Sequence, residues 1–365
     1  MRRWRPDVTT LELPTTRQEA WRWADLDGLR TAAATPRGTA PEPQPLDVAG
    51  PELVFVDGAY QPDRSHPGPV RVERLDLATD HPLGRRAGQG EGWSLTLDVR
   101  GATDPIRITH LGSGGESHLA ARLVLGEDAA ASVIETYAGA GWANRLTQIA
   151  LAKGARLMRS VRFLQDDGFV STRDEARLAD TASLVQLFLG AGGMGSRIDG
   201  LLELEGEAAF GEMGGVLLTR GEQKQEAAVT VRHRGENGQS RQIWRAVAAD
   251  RSAASLAARV DVARGAQKTD GEQSLRGLLL NRTATINLKP ELEIFADDVK
   301  CAHGATVGEL DARALFYLAS RGITPPRAKA LMTRAFVADA LDRIGNEQVR
   351  DAFMADADAW LERAL

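Results

Sequence analysis

The chain reads as a mainly β protein: a body of short stacked strands, a short α/β segment before it and a helical tail after it. Three observations predict this. From about residue 93 to 300, short apolar runs alternate with Gly-rich corners, and no stretch sustains a long helical period. Within that region a phrase of Ala, one residue and a large apolar residue recurs. It stands at Ala131-Ser132-Val133, Ala155-Arg156-Leu157, Ala182-Ser183-Leu184, Ala208-Ala209-Phe210, Ala254-Ser255-Leu256 and Ala284-Thr285-Ile286. The spacings are 24, 27, 26, 46 and 30 residues, the long one hiding a degenerate turn around Ser240 to Trp244. From Gly308 onward the apolar period becomes helical. Repeats of this length predict a coiled β-solenoid, in which a turn buries its apolar face only by stacking on its neighbour. A β-sandwich, with turn signals every 8–12 residues or so, is the alternative that the repeats alone leave open.

The N-terminal segment, residues 1–92, opens with Thr15 or Thr16 followed by Gln18 and Glu19, just after Pro14. This is an N-cap with capping-box support, and it predicts a short helix carrying Trp21. Residues 35–51 form a linker rich in Pro36, Pro41, Pro43, Pro45 and Pro51. Leu53 to Tyr60 gives a strand, an Asp57-Gly58 turn and a hairpin. Residues 61–92 are Pro/Gly-rich and carry no candidate site. In the β body, residues 93–305, the runs Gly112-Ser113-Gly114-Gly115 and Gly192-Gly193-Met194-Gly195 are solenoid corners. Neither ends in the Gly-Lys-Ser/Thr of a P-loop, nor opens a helix after a strand as a dinucleotide fingerprint does.

The tail, residues 306–365, starts a helix at Asp311 and ends it at Arg321-Gly322. Thr324-Pro325-Pro326 restarts it, with Ala330, Val337, Ala340, Leu341 and Ile344 on one face. A last helix over roughly Glu347–Leu365 groups Val349, Phe353, Ala357, Trp360 and Leu361.

Composition excludes several functions. Forty-five basic against 50 acidic residues give no nucleic-acid footprint. Arg supplies 39 of the basic residues, and clusters such as Arg2-Arg3-Trp4-Arg5 and Arg85-Arg86 read as solvated surface. One cysteine excludes an intramolecular disulfide and suits a reducing compartment. No apolar core follows Arg2-Arg3 within residues 4–40, and no run reaches the ~18 apolar residues of a membrane span. A cytoplasmic protein with no membrane partner is the expectation. The histidines at 66, 81, 110, 118, 233 and 303 are scattered, and His110 and His118, flanking a Gly loop, read as surface residues in preference to a weak metal pair. Asp297 and Asp298 would face opposite sides of a strand and read as turn-capping groups rather than an acid–base dyad.

The remaining chemistry lies at Cys301-Ala302-His303-Gly304. On a strand, residues two apart share a face, so Cys301 and His303 point the same way. A soft thiolate beside an imidazole suits iron, zinc or an iron–sulfur fragment. Inert core is the other reading of Cys301, since free cysteine is among the most buried residue types. An iron–sulfur cluster takes about four thiolates, so a cluster here is transient or completed by other ligands.

The surrounding segment, PELEIFADDVKCAHGATVGELDARALFYLASRGI from Pro290 to Ile323, resembles a signature of the SufB/SufD family of iron–sulfur cluster assembly scaffolds, in its SufD form. That signature runs K-P-x-L-E-I-x-A-D-D-V-x-C-S-H-G-A-T-x-G and ends in F-Y-L-x-S-R-G. Ala302 replaces the usual Ser and leaves both candidate ligands in place. Leu13-Pro14 through Glu19, Trp21, Asp25 and Leu26 resembles a phrase shared by both branches. Glu135-Thr136-Tyr137, His233 before Ser240-Arg241, and Gly265 to Asp270 before Leu278-Leu279-Leu280 are further family-like phrases. The lack of any cysteine in residues 1–300 favours the SufD branch, because a sulfur-carrying scaffold needs thiols along its helix.

The resemblance implies a right-handed parallel β-helix and a non-catalytic scaffold subunit of a SufBCD complex. It implies pairing with a SufB-like paralogue through the last strands, and docking of a SufC-like ABC ATPase on residues 310–345. Leu310, Phe316, Tyr317, Arg321, Leu331 and Phe336 are the docking candidates. His303 and Cys301 become candidate metal ligands for a transient iron or iron–sulfur cargo shared with the partner, with no permanently bound cofactor. In isolation the same edge could pair with itself in a homodimer. Two other classes stay open: a stand-alone metal-binding protein using Cys301 and His303, and a β-helix carbohydrate-active enzyme. The 5% aromatic content disfavours the second.

Overall fold

The computed structural model describes residues 13–42, 46–98 and 104–365. The cluster Arg2-Arg3-Trp4-Arg5 and linker residues Pro43 and Pro45 lie outside the described residues.

The N-terminal segment differs from expectation. Glu19–Trp21 is a single 3-10 turn whose N-cap, Gln18, makes no side-chain capping bond. The first α-helix, α1 (Leu26–Ala33), starts later, with Asp25 accepting from the Gly28 N–H at 3.3 Å. A tertiary contact explains the change. Arg197 donates to the Ala20 carbonyl (2.8 Å) and its guanidinium sits 3.8 Å from the Trp21 ring centroid, drawing this stretch out of helix geometry. The linker that follows is docked rather than free, because Leu46 and Val48 are buried.

β1 (Glu52–Val56) and β2 (Ala59–Tyr60) form the expected hairpin, with Asp57 and Gly58 at φ of 50° and 83°. β3 (Arg71–Asp76), α2 (Pro82–Ala87) and β4 (Gln89–Leu97) follow, β3 lying antiparallel on β4. The long strands β5 (Ile106–Leu125) and β6 (Ala130–Leu151) pair in parallel along their lengths, with a register shift between Ser113 and Glu116 at the predicted Gly corner.

Each later turn is a pair of strands. These are β7 (Arg156–Phe163) and β8 (Gly168–Leu178), β9 (Ser183–Gly190) and β10 (Gly195–Leu204), and β11 (Phe210–Thr219) and β12 (Lys224–His233). Then come β13 (Gln239–Ala248) and β14 (Ala253–Val262), β15 (Asp270–Leu279) and β16 (Thr285–Ile294), and finally β17 (Lys300–Glu309). Odd strands from β7 to β17 form one parallel stack and even strands from β8 to β16 the other. The body is therefore a parallel β-solenoid, and the antiparallel sandwich is excluded. The irregular repeat spacing now has a cause. The first four Ala phrases open odd-stack limbs, whereas Ala254 and Ala284 open β14 and β16, so the long gap is one and a half turns with β13 inside it.

Alternate side chains fill the lumen. Rings stack along it from Phe55 through His110, Tyr137, Phe163 and Phe188 to Trp244, with centroids 4.4–6.2 Å apart. Between the last two lies Gly215 (φ 147°), where a Cβ would collide with the Phe188 carbonyl oxygen. The outer face of the odd stack is apolar (Leu187, Leu189, Val216, Leu218, Val247). It is covered by α4 (Pro325–Leu341) and α5 (Glu347–Ala364) through Val337, Leu341, Phe353, Trp360 and neighbours. Before them comes α3 (Ala312–Ser320), capped by Asp311 and closed at Gly322 (φ 83°) as the sequence predicted. Trp21, Leu26 and Leu29 pack with Leu83, Trp142 and Phe169 on the other side.

Candidate functional site

The two ends of the solenoid are built differently. At the N-terminal end the antiparallel pairs β1–β2 and β3–β4 cover the first turns. At the C-terminal end, among the described residues, β16 bonds only to β14 and β17 only to β15. Each therefore keeps one free main-chain edge, and proteins seldom leave long edges open without a use. Exposed apolar side chains cluster on these strands and the loop after them: Ile294 at 38%, Phe295 at 58% and Val307 at 43% exposure.

Cys301 and His303 lie on β17, in register with Gly271 and Gln273 of β15. Cys301 is half-buried and packs against the lumen core, so its parity, shared with His303, continues the lumen side. Burial pushes the Cys301 thiol above its ordinary pKa, so it stays protonated at neutral pH. His303 is exposed. His303 is thus the more accessible of the two side chains. Among the described residues no group of three or more His, Cys, Asp or Glu side chains could hold a metal ion. Asp297 and Asp298 are exposed in the preceding turn. The Asp298 N–H donates to Gln267 Oε1 (3.0 Å) and its carbonyl accepts from the Lys268 N–H (2.6 Å), so its main chain ties this turn to the preceding one.

A second exposed surface follows directly. No residue of α3 is buried, and Phe316 (76%) and Tyr317 (56%) face solvent, with Arg321 5.2 Å from the Tyr317 ring. Leu331 on α4 is exposed as well, whereas Leu310 and Phe336 are half-buried against the helix core. Of the six docking candidates, four are therefore surface groups and two brace the tail.

Charged groups that the sequence does not announce lie inside the solenoid. His110 is not on the surface: it is buried, stacked 4.4 Å from Tyr137, with Nε2 3.4 Å from Glu135. Burial and Arg145 bring its pKa down to about 4, so the ring is neutral. His118 is mostly buried too, accepting from Arg86 Nε (2.9 Å), which also corrects the solvated reading of Arg86. Arg159, fully buried, donates to Glu135 (2.7 Å), Asp174 (2.7 Å) and Gln186 (3.3 Å). Burial opposes the Glu135 carboxylate, but Arg159 and His110 outweigh it and hold its pKa well below the usual range. Period-two alternation through Leu157, Arg159, Val161 and Phe163 was the available signal for an inward arginine. A second buried cluster joins Arg197 to Asp199 (2.7 Å) and Glu226 (2.5 Å), with His81 3.1 Å from Asp199.

The chain is thus a parallel β-solenoid protein with one open end, a Cys/His pair on its last strand and a helical tail beside it. The family model for "SUF system FeS cluster assembly, SufBD core domain" matches residues 110–336, and the chain belongs to the SufB/SufD family. It is 28% identical to the iron–sulfur cluster assembly protein SufD of Escherichia coli (strain K12), over 94% of this chain and 88% of that protein. An iron–sulfur cluster assembly SufBD family protein of Synechocystis is 26% identical over 92% of this chain and 84% of its own length. SufD of Bacillus subtilis is 30% identical over 50% of this chain and 41% of that protein. The chain is a SufD-like iron–sulfur cluster assembly protein with a role in the Suf system. Among the described residues, no helix is long and apolar enough to cross a membrane.

Proposed function

We propose that this chain is the non-catalytic, SufD-type scaffold subunit of a cytoplasmic SufBCD complex. The observation that carries the reading is the solenoid end left open beside an accessible His303 and a half-buried Cys301. A SufB-type paralogue adds its own strands to the free edges of β16 and β17, gaining main-chain hydrogen bonds and covering Phe295 and Val307. The cargo, iron or a nascent iron–sulfur cluster, then sits at the junction. His303 and Cys301 supply soft ligands from this side and the partner supplies the rest, because two groups on one strand are too few to hold it alone. That shortage also speaks against a stand-alone metal-binding protein.

A SufC-type ABC ATPase docks on the exposed face of α3 and the adjoining part of α4. ATP chemistry belongs to that subunit, since this sequence has no Gly-Lys-Ser/Thr loop. Without its paralogue, the open edge pairs with a second copy of the chain. Affinity purification of the tagged chain from its native cytosol, with mass spectrometry of what is bound, tests this. Recovery of an ABC-type ATPase and a paralogous solenoid protein is expected; recovery of neither under gentle low-salt conditions contradicts it.

A further inference from the structure

Beneath His303 the lumen carries a column of polar side chains. Along the odd stack Arg159 registers with Gln186 and Gln186 with Met213, and Gln242 with Gln273 and Gln273 with His303. Met213 and Gln242 fall at the common offset set by Glu212–Arg241 and Gly215–Trp244. Gln242 and Gln273 are buried, and they use their amides alike. Gln242 Nε2 donates across the lumen to the Arg259 carbonyl (2.9 Å) and Gln273 Nε2 to the Glu291 carbonyl (3.3 Å). Arg259 and Glu291 are themselves register partners, so one bond is repeated in successive turns.

Because a carbonyl only accepts, these bonds fix which end of each amide is oxygen. They leave Oε1 of both Gln242 and Gln273 buried with no hydrogen-bond partner. This end of the lumen is short of donors, and the next side chain in the column is an imidazole. Neighbouring strands stand about 4.8 Å apart, within reach of a side-chain hydrogen bond between rungs.

We propose that Gln273 is the positioning residue for His303: its Oε1 accepts the ring N–H, fixes the tautomer and turns the other ring nitrogen toward the open end. A histidine ligand gains orientation and basicity when its second ring nitrogen donates to such an acceptor. The functional consequence rests on the reading of His303 as a cargo ligand given above; the tautomer does not.

The test uses the full chain, apo, and the reconstituted complex. Ring-15N NMR of His303 reports its tautomer, and cluster formation on the complex reports function. Gln273→Met removes both amide groups at similar volume, and Met213 shows that the column accepts methionine. Gln273→Glu keeps an oxygen acceptor facing His303 at nearly the same volume. One dominant tautomer is expected in the wild-type chain and in Gln273→Glu, and a mixture in Gln273→Met. Assembly should fall about tenfold in Gln273→Met and recover in Gln273→Glu. A mixture in the wild-type chain overturns the proposal, with no need for any variant to fold. So does an unchanged tautomer in Gln273→Met, which would mean that water satisfies the amide oxygen. A shifted tautomer with unimpaired assembly upholds the positioning and instead rejects His303 as a cargo ligand.

Discussion

At the scale of single residues, side chains exposed at the open end differ in kind from those that hold the lumen together. His303 is exposed and packs no core, so His303→Ala should impair cluster assembly while leaving the unfolding transition and ATPase binding unchanged. Loss of folding in that variant, seen by circular dichroism, would make His303 structural. Arg159 is the opposite case. It pairs with Glu135 and Asp174 in full burial, and Arg159→Met takes from both carboxylates the cation they share. A destabilisation of about 3–5 kcal/mol is expected in chemical denaturation, the usual cost of breaking a buried pair from one side. The sequence singled out Cys301 and His303 because the signature and the spacing coincide. It concealed Arg159 and His110 because a polar residue in an alternating strand suggests the solvent face, and only the parity of Val161 and Phe163 says otherwise.

At the scale of elements, the helical tail was almost fully legible. Asp311 caps α3 and Gly322 closes it, Pro325-Pro326 open α4, and the apolar faces of α4 and α5 follow a 3.6-residue period. The segment at Trp21 was not, because local capping signals lost to a guanidinium presented from β10, far away in sequence. The long β5 and β6 were hidden too, since a strand that bends through a corner reads as two short ones. α3 has an apolar composition and buries nothing, which is unusual for a helix of its kind unless something covers it. Phe316→Asp should therefore abolish capture of a SufC-type ATPase in a pull-down while shifting the melting temperature by no more than a degree or two. A large fall in melting temperature would show that α3 stabilises the fold instead.

At the scale of the whole molecule, buried histidines set the acid limit. His110, His118 and His233 are brought down to about 4, 3 and 4, in each case first by burial. Between those values and the ordinary 6.5 the unfolded chain binds more protons than the folded one, so stability falls as pH drops through this window. For the fully buried His110 alone the loss is of order 3 kcal/mol. Glu226 works in the other direction. Burial raises it to about 7, so its contribution is largest at low pH and lost as pH rises toward that value. With the buried histidines as the groups that titrate through this window, denaturant titrations should show net loss of stability from pH 6.5 to 4; a flat profile would mean these rings are hydrated.

The asymmetry between a capped N-terminal end and an open C-terminal end was not visible in the repeats, which say how turns stack but not which edge is left unpaired. It is this asymmetry that the scaffold reading depends on. Amide hydrogen exchange of β16 and β17, in the isolated chain at low concentration and with a SufB-type paralogue added, tests it most directly. The account predicts fast exchange at the free edges alone and strong protection in both strands on binding, with β11 and β12 unaffected. Binding of the paralogue with β16 and β17 still exchanging freely would contradict it.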